Sequence, residues 1–365
     1  MDDSRVASRG SSEPRHASVR NAMLSGFAAA SVVMAGIYFG SRHFRDFDAA
    51  LVAYAGASVF SAFGLGYRYG MWLERPPTRL YWRRGWQVFV RRLPVNLVKL
   101  GVLAWENLVA QRFIEKRSRL RWLAHLFIAW GCMLAAAVTF PLSFGWIRFE
   151  SSRSAPLVYQ AFVFGVGVFS FASDGPFAPL VFNVLDIAAA MVLTGIGLAM
   201  WRRARDRGAI AVQQLANDLL PLLLLFAVSV TGLLLTFSTH LMRGVHYAFL
   251  SELHAVTVIF TLLYLPFGKF FHVFQRPAQL SIAFYKDAGA RGAQACCARC
   301  GVAYASAMHV ADLKSVETEL AIRYQTADAH YQDVCPACRR KMIAVAQDAL
   351  WRAARSPRVE AVREE

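Results

Sequence analysis

Acidic residues are scarce in this chain: 24 Asp and Glu stand against 40 Lys and Arg in 365 positions, and residues 22–41 carry no charge at all. A cationic surplus can mark a nucleic-acid binder, but here the basic residues sit beside apolar runs, where membrane topology accounts for them. Nucleic acid is therefore not expected as a partner. No Gly-rich phosphate loop, molybdopterin signature or iron-sulfur ligand run is present, so the chain is not expected to perform the terminal substrate chemistry of an oxidoreductase. There is no inverted repeat and no pair of Gly/Pro-broken apolar segments, which argues against a transporter. The first apolar run lacks a small-residue cleavage site and reads as an anchor, not as a signal peptide.

What the chain has in excess is apolar surface, at 56% of its residues. That is more than a soluble domain needs for its core, and runs long enough to span a bilayer recur. The expected class is an all-α polytopic membrane protein, a bundle of about six transmembrane helices with a small cytoplasmic four-cysteine, ribbon-like domain. Spans are expected near 22–41, 49–72, 121–143, 183–201, 214–238 and 250–272. The connector from Arg68 to Arg121 holds 13 Lys and Arg against 3 acids, and 202–207 adds four Arg, whereas 142–182 holds two basic residues. The positive-inside rule then puts both termini and the basic connectors in the cytoplasm, and the chain in the inner (plasma) membrane. The domains read as a disordered tail (1–21), an anchor (22–48), a membrane domain (49–280) and a cytoplasmic domain bearing the cysteines (281–365). The run at 157–171 reads as an interfacial or re-entrant piece of the outer loop, and "RRGWQVFVRR" as an amphipathic segment for anionic lipid or a partner.

Three histidines fall inside the expected spans. His254 and His272 are eighteen residues apart, five turns of one continuous helix and roughly 27 Å along its axis. His125 follows Arg121 by one turn, which gives it the depth of His272 at the cytoplasmic side. Neutral imidazoles from two helices at one depth are what bis-histidine ligation of a haem iron needs. His125 and His272 are the expected ligands of a cytoplasmic-side haem, and His254 of a second, outer one. His43 and His246 read as ordinary residues of outer connectors, while His16, His309 and His330 lie in polar segments without suitable neighbours.

The segments "YAGASVFSAFGLGYRYG", 121–143, 202–238 and "ELHAVTVIFTLLYLPFGKFFHVFQRPAQL" together resemble the membrane gamma subunit of respiratory nitrate reductases, and the cytochrome b subunits of heterodisulfide-reductase-like complexes. The resemblance covers about 220 residues and omits both ends. It implies that the last helix gives one ligand to each of two b haems, at His254 and His272, and that His125 matches the first histidine of the family's second helix. The family's second histidine of that helix corresponds to Ala135 here, so the outer haem lacks a ligand. His240 is the substitute that sequence position offers, Met133 points elsewhere, and a single-haem protein is the other possibility. The helix at 22–41 is additional to the family's five.

The tail brings other chemistry. Cys297-x-x-Cys300 and Cys335-x-x-Cys338 form two knuckles about 34 residues apart, the pattern of a tetrahedral four-cysteine metal site. Cys296 and Cys132 read as bystanders, and disulfides are not expected on a cytoplasmic face. Zinc is favoured. The form C-x-x-C-G-x-x-Y with C-P-x-C also resembles rubredoxin, whose four cysteines hold redox iron, although Arg339 stands where rubredoxins have Gly and the intervening "VADLKSVETELAIRYQ" reads as helix.

Joined together, these parts describe an electron conduit. The resemblance implies that quinol from the quinone pool is the donor, and that electrons leave through an iron-sulfur subunit to a molybdopterin catalytic subunit reducing nitrate or a similar oxyanion. The competing classes are a membrane transporter and a haem-free scaffold whose zinc ribbon docks a soluble partner.

Overall fold

The computed structural model describes residues 13–152, 155–206, 208, 214–322 and 330–355; of the tail read as disordered over 1–21, residues 1–12 lie outside them and 13–21 are helical. Six helices are long and apolar enough to cross a membrane: Ala17–Gly40, Ala49–Leu73, Arg119–Ser143, Val184–Arg205, Leu215–Leu241 and Tyr247–Tyr264. The first belongs to a helix, α1 (Glu13–Gly40), that starts well before the expected position 22. The chain divides into two compact units, residues 1–72 with 98–278, and residues 73–97 with 279–365.

In the first unit, α2 (Val52–Leu73) and α6 (Arg119–Ser143) share an apolar cluster in which Tyr54 and Phe144 pack with Ile37 of α1. The helix α6 begins cleanly because the Ser118 hydroxyl accepts the Arg121 N–H at its N-cap. It packs along α8 (Val184–Arg205) through two glycines. A Cβ on Gly131 would lie 2.8 Å from the Ala188 carbonyl, and one on Gly195 would lie 2.7 Å from the Ala124 carbonyl. Small residues at such crossings let membrane helices approach backbone to backbone. Next to α8 runs α9 (Leu220–Leu241), joined to it where the Thr236 hydroxyl donates to Asp186 at 2.7 Å.

The last span is shorter than its sequence suggests. Helix α10 stops at Tyr264 and a second helix, α11, covers Phe271–Gln279, so His254 and His272 do not share one five-turn helix. Pro266 explains the break, since it lacks an N–H and disfavours helix at Leu265. Partners on α2 take up the freed carbonyls: Ser61 donates to Leu262 O, and the Arg68 guanidinium donates to Pro266 O at 2.5 Å and to Gly268 O at 3.2 Å. Irregular backbone at membrane depth is tolerated on that condition.

The connector read as interfacial or re-entrant is a three-stranded antiparallel sheet: β1 (Ile147–Ser152), β2 (Ala155–Val163) and β3 (Val166–Ala172). Phe164 and Gly165, with φ of 49° and 82°, make the two-residue turn between β2 and β3. One face gathers aromatic rings, with Phe171 5.9 Å from Phe149 and 5.7 Å from Phe177.

The second unit unites two distant stretches of sequence. Helix α3 (Pro76–Arg91) packs on α12 (Ser281–Arg291), where Phe89 meets Phe284 at 5.3 Å between ring centres and Gly85 lies against the Ser281 backbone. It also meets α13 (Ala307–Glu319), where Arg84 pairs with Asp312 at 3.5 Å. The buried Asp312 carboxylate accepts the Tyr285 hydroxyl at 2.8 Å as well, and burial together with that carboxylate pushes the Tyr285 phenol up. Within the amphipathic segment expected to lie on lipid or a partner, Gly85 and Phe89 are covered by the chain while Trp86 and Val90 stay exposed. Strands β4 (Gln294–Cys296) and β5 (Ala303–Ser306) form a hairpin, and α14 (Pro336–Arg355) closes the described sequence. Leading away from α3 is α4 (Leu93–Ala104), which is divided between the two units.

Candidate functional site

His125 sits about 9 Å along α6 from Arg119 by the rise of a helix. Its Nδ1 is 2.7 Å from the amide oxygen of Gln111, which can only accept, so Nδ1 carries the proton and Nε2 keeps its lone pair. His272, on the first turn of α11, donates its Nδ1–H to the Lys269 carbonyl in the same way. The two rings lie 6.0 Å apart, centre to centre, with planes at 63°. Two imidazoles on opposite sides of one ion need about 6 Å between ring centres, taking about 2.0 Å for each nitrogen–metal bond and roughly 1 Å from nitrogen to ring centre. The two rings thus lie close together, each held by a hydrogen bond at Nδ1.

His254 also has its Nδ1 engaged. Thr231 of α9 donates its hydroxyl to Ala227 O at 2.7 Å and so receives the His254 Nδ1–H at 2.9 Å. Because Thr231 faces His254, His240 is displaced: it lies nine positions further along α9, roughly 13 Å by helix rise, with its own Nδ1 3.0 Å from Thr236 O. His240, at the end of α9, is therefore not level with His254, which faces the interior of that helix, and does not serve as the substitute ligand that its sequence position offered. Met133 is 53% exposed, an outward-facing side chain.

The four knuckle cysteines come together in the second unit, all four sulfurs lying within 4.8 Å of one another. Cys300 and Cys335 sulfurs are 3.8 Å apart, the edge of a tetrahedron with metal–sulfur bonds of about 2.3 Å. The β4–β5 hairpin carries the first knuckle, Gly301 turning at φ 74°. The second knuckle enters α14 with Pro336 at its first position. An Ala298 N–H bond to Asp333 O at 2.9 Å fastens one to the other.

Backbone amides face the sulfurs, from Cys335 to Cys297 Sγ at 3.2 Å and from Cys338 to Cys335 Sγ at 3.4 Å. The Cys335 amide draws the Cys297 thiol down to about 6, while the neighbouring thiols Cys335 and Cys300 push Cys338 up to about 12. Four cysteine sulfurs converging in this way could hold a metal ion, and binding one would release their remaining protons.

Arg339 does not open the knuckle. It folds back, donating from Nε to Val334 O at 2.7 Å and from Nη2 to the Gln332 side chain at 2.8 Å, with its guanidinium 4.4 Å above the Tyr331 ring. The sulfurs are backed by Val334, Tyr304 and Met342. Cys296 is exposed and is not one of the four clustered cysteines. His309 and His330, which looked isolated in sequence, have neighbours: Tyr81 OH is 3.4 Å from His309 Nδ1, and His330 Nε2 is 3.2 Å from the buried Glu317. No signal in sequence pointed to Gln111 or Thr231, each a polar residue in an apolar surrounding without a local pattern. No family model, curated protein or solved structure matches the chain.

Proposed function

We propose that this chain is a membrane cytochrome b in which His125 and His272 hold a single b haem, beside a zinc-loaded ribbon at the four cysteines. One observation carries the reading: the two rings stand 6.0 Å apart while each has its Nδ1 proton committed elsewhere. A b haem supplies a one-electron couple. His125 and His272 orient it, and the apolar spans keep water from it. Zinc is preferred to iron because the Arg339 clamp over the second knuckle suits a structural site.

The resemblance adds donor and acceptor. A quinol oxidised in the membrane loses two electrons and two protons, and the electrons leave singly to an iron-sulfur partner of a molybdopterin oxidoreductase such as a nitrate reductase. His254 lacks a histidine opposite it, so the proposal assigns it no haem. The test is a dithionite-reduced minus oxidised spectrum of the purified protein with haem and zinc counted per chain. One b haem, lost in His125→Ala and His272→Ala and kept in His254→Ala, is the expected result. Absence of haem in the parent protein overturns the conduit and leaves the scaffold.

A further inference from the structure

Gln111 occupies an unusual position for a residue in a connector. It is 5% exposed, it has a left-handed backbone with φ 52° and ψ 36°, and its amide oxygen ends 2.7 Å from His125 Nδ1. We propose that Gln111 is the positioning residue of the haem site: it fixes the tautomer and rotation of His125 and sets how strongly that imidazole donates to iron. The inference rests on the haem reading of the preceding subsection and goes beyond it by assigning control of the redox couple to one side chain.

A left-handed conformation is uncommon outside glycine and persists where its surroundings over-determine it. Here the surroundings do so. The Trp122 indole donates to Ala110 O at 2.7 Å and the Trp130 indole donates to Val109 O at 3.2 Å. Both tryptophans belong to α6, one on either side of His125 in sequence, so the turn carrying Gln111 is fastened to the helix carrying the histidine. The preceding residues Trp105–Val109 form a π-helical turn that ends the helix at Ala110, and the helix-terminal carbonyls are the ones that the two indoles take up. On the far side Ile114 N–H donates to Gln111 O at 3.0 Å and starts α5 (Arg112–Glu115).

The structural alternative is a buried amide that has merely found a partner. Ligand tuning makes a different demand, because an acceptor on the distal nitrogen of a metal-bound imidazole raises its basicity, and so stabilises the oxidised ion. Its partner in the pair, His272, uses a backbone carbonyl for this purpose. Of the two acceptors at the pair, the Gln111 amide is the side chain, so it can be exchanged for a stronger or weaker one without moving the backbone.

The experiment is a redox titration of the full-length protein in nanodiscs, with ferric EPR and haem per chain, for the parent, Gln111→Leu and Gln111→Glu. Leu removes the acceptor and should raise the midpoint. A tenfold rise in the reduced-to-oxidised ratio at fixed ambient potential is expected, which is about 59 mV for one electron. Glu strengthens the acceptor and should lower it, and the EPR signal of the Leu variant should broaden as the ring loses its fixed rotation. If Leu loses haem altogether, Glu decides: a lower midpoint supports the assignment, and an unchanged or higher one overturns it. Parent-like midpoints in both variants, or shifts of the same sign, overturn it while the haem reading stands. A parent protein without haem overturns both, and its spectrum tells that case from the others.

Discussion

Arg339 is the residue at which a rubredoxin-like reading and a zinc-ribbon reading part. Its side chain ties Val334 O and Gln332 across the second knuckle, so Arg339→Ala should leave all four thiols in place yet weaken zinc binding by about 10–100-fold, as loss of outer-shell partners does. Competition with a chromophoric chelator measures it. Cys335→Ser should abolish zinc outright, read as metal per chain. Asp46 is the acid with the clearest pH consequence: the Arg42 hydrogen bond, then the Arg148 charge, hold its carboxyl below the usual range. A depressed carboxylate stabilises fully above its unfolded value near 3.9 and loses that contribution as pH falls through the lower folded value. The melting temperatures of parent and Asp46→Asn should therefore differ at pH 5 and converge as the pH drops below about 3.9. Histidines and knuckle cysteines were visible in the sequence because their chemistry is carried by residue type and spacing. Gln111 and Thr231 were not, since a left-handed turn at Gln leaves no trace in composition and the Thr231–His254 contact joins two helices.

At the scale of elements, the six spans were legible because lipid demands an uninterrupted apolar run, and each span found overlaps its expected position. Apolar content alone does not give two features, the strand pairing within 157–171 and the end of the last long helix. The segment 157–171 alternates and holds Phe164–Gly165 at its middle, which is a hairpin pattern. Pro266 was visible inside the last span and marks the helix end that the structure has at Tyr264. The α6–α8 contact decides where His125 lies. Gly131→Leu and Gly195→Leu would each press a side chain on backbone within 3 Å, which should cost about 1–3 kcal/mol. Thermal unfolding in detergent checks the cost. Because Gly131 lies less than two turns beyond His125 on α6, haem retention should fall in the Gly131 variant ahead of global unfolding.

For the molecule as a whole, the least legible feature was that α3 belongs with the metal unit. It rests on Phe89 against Phe284 and Arg84 against Asp312, pairs some 200 residues apart, and no local pattern announces such a contact. It constrains topology independently of charge. Residues 73–97 and 279–365 form one unit, so an even number of crossings must separate them, and four of the spans lie between. Removing residues 281–365 should uncover the α3 face at Gly85 and Phe89 and make the remaining protein aggregate on solubilisation, which size-exclusion profiles would show. The same arrangement sets an order of events during synthesis. Helix α3 leaves the ribosome almost 250 residues before Cys338 does, roughly 12–50 s at bacterial and eukaryotic elongation rates. Four hydrophobic helices must enter the bilayer in that interval while α3 waits with its apolar face uncovered, so the cell completes the membrane half of this protein before the metal half can close.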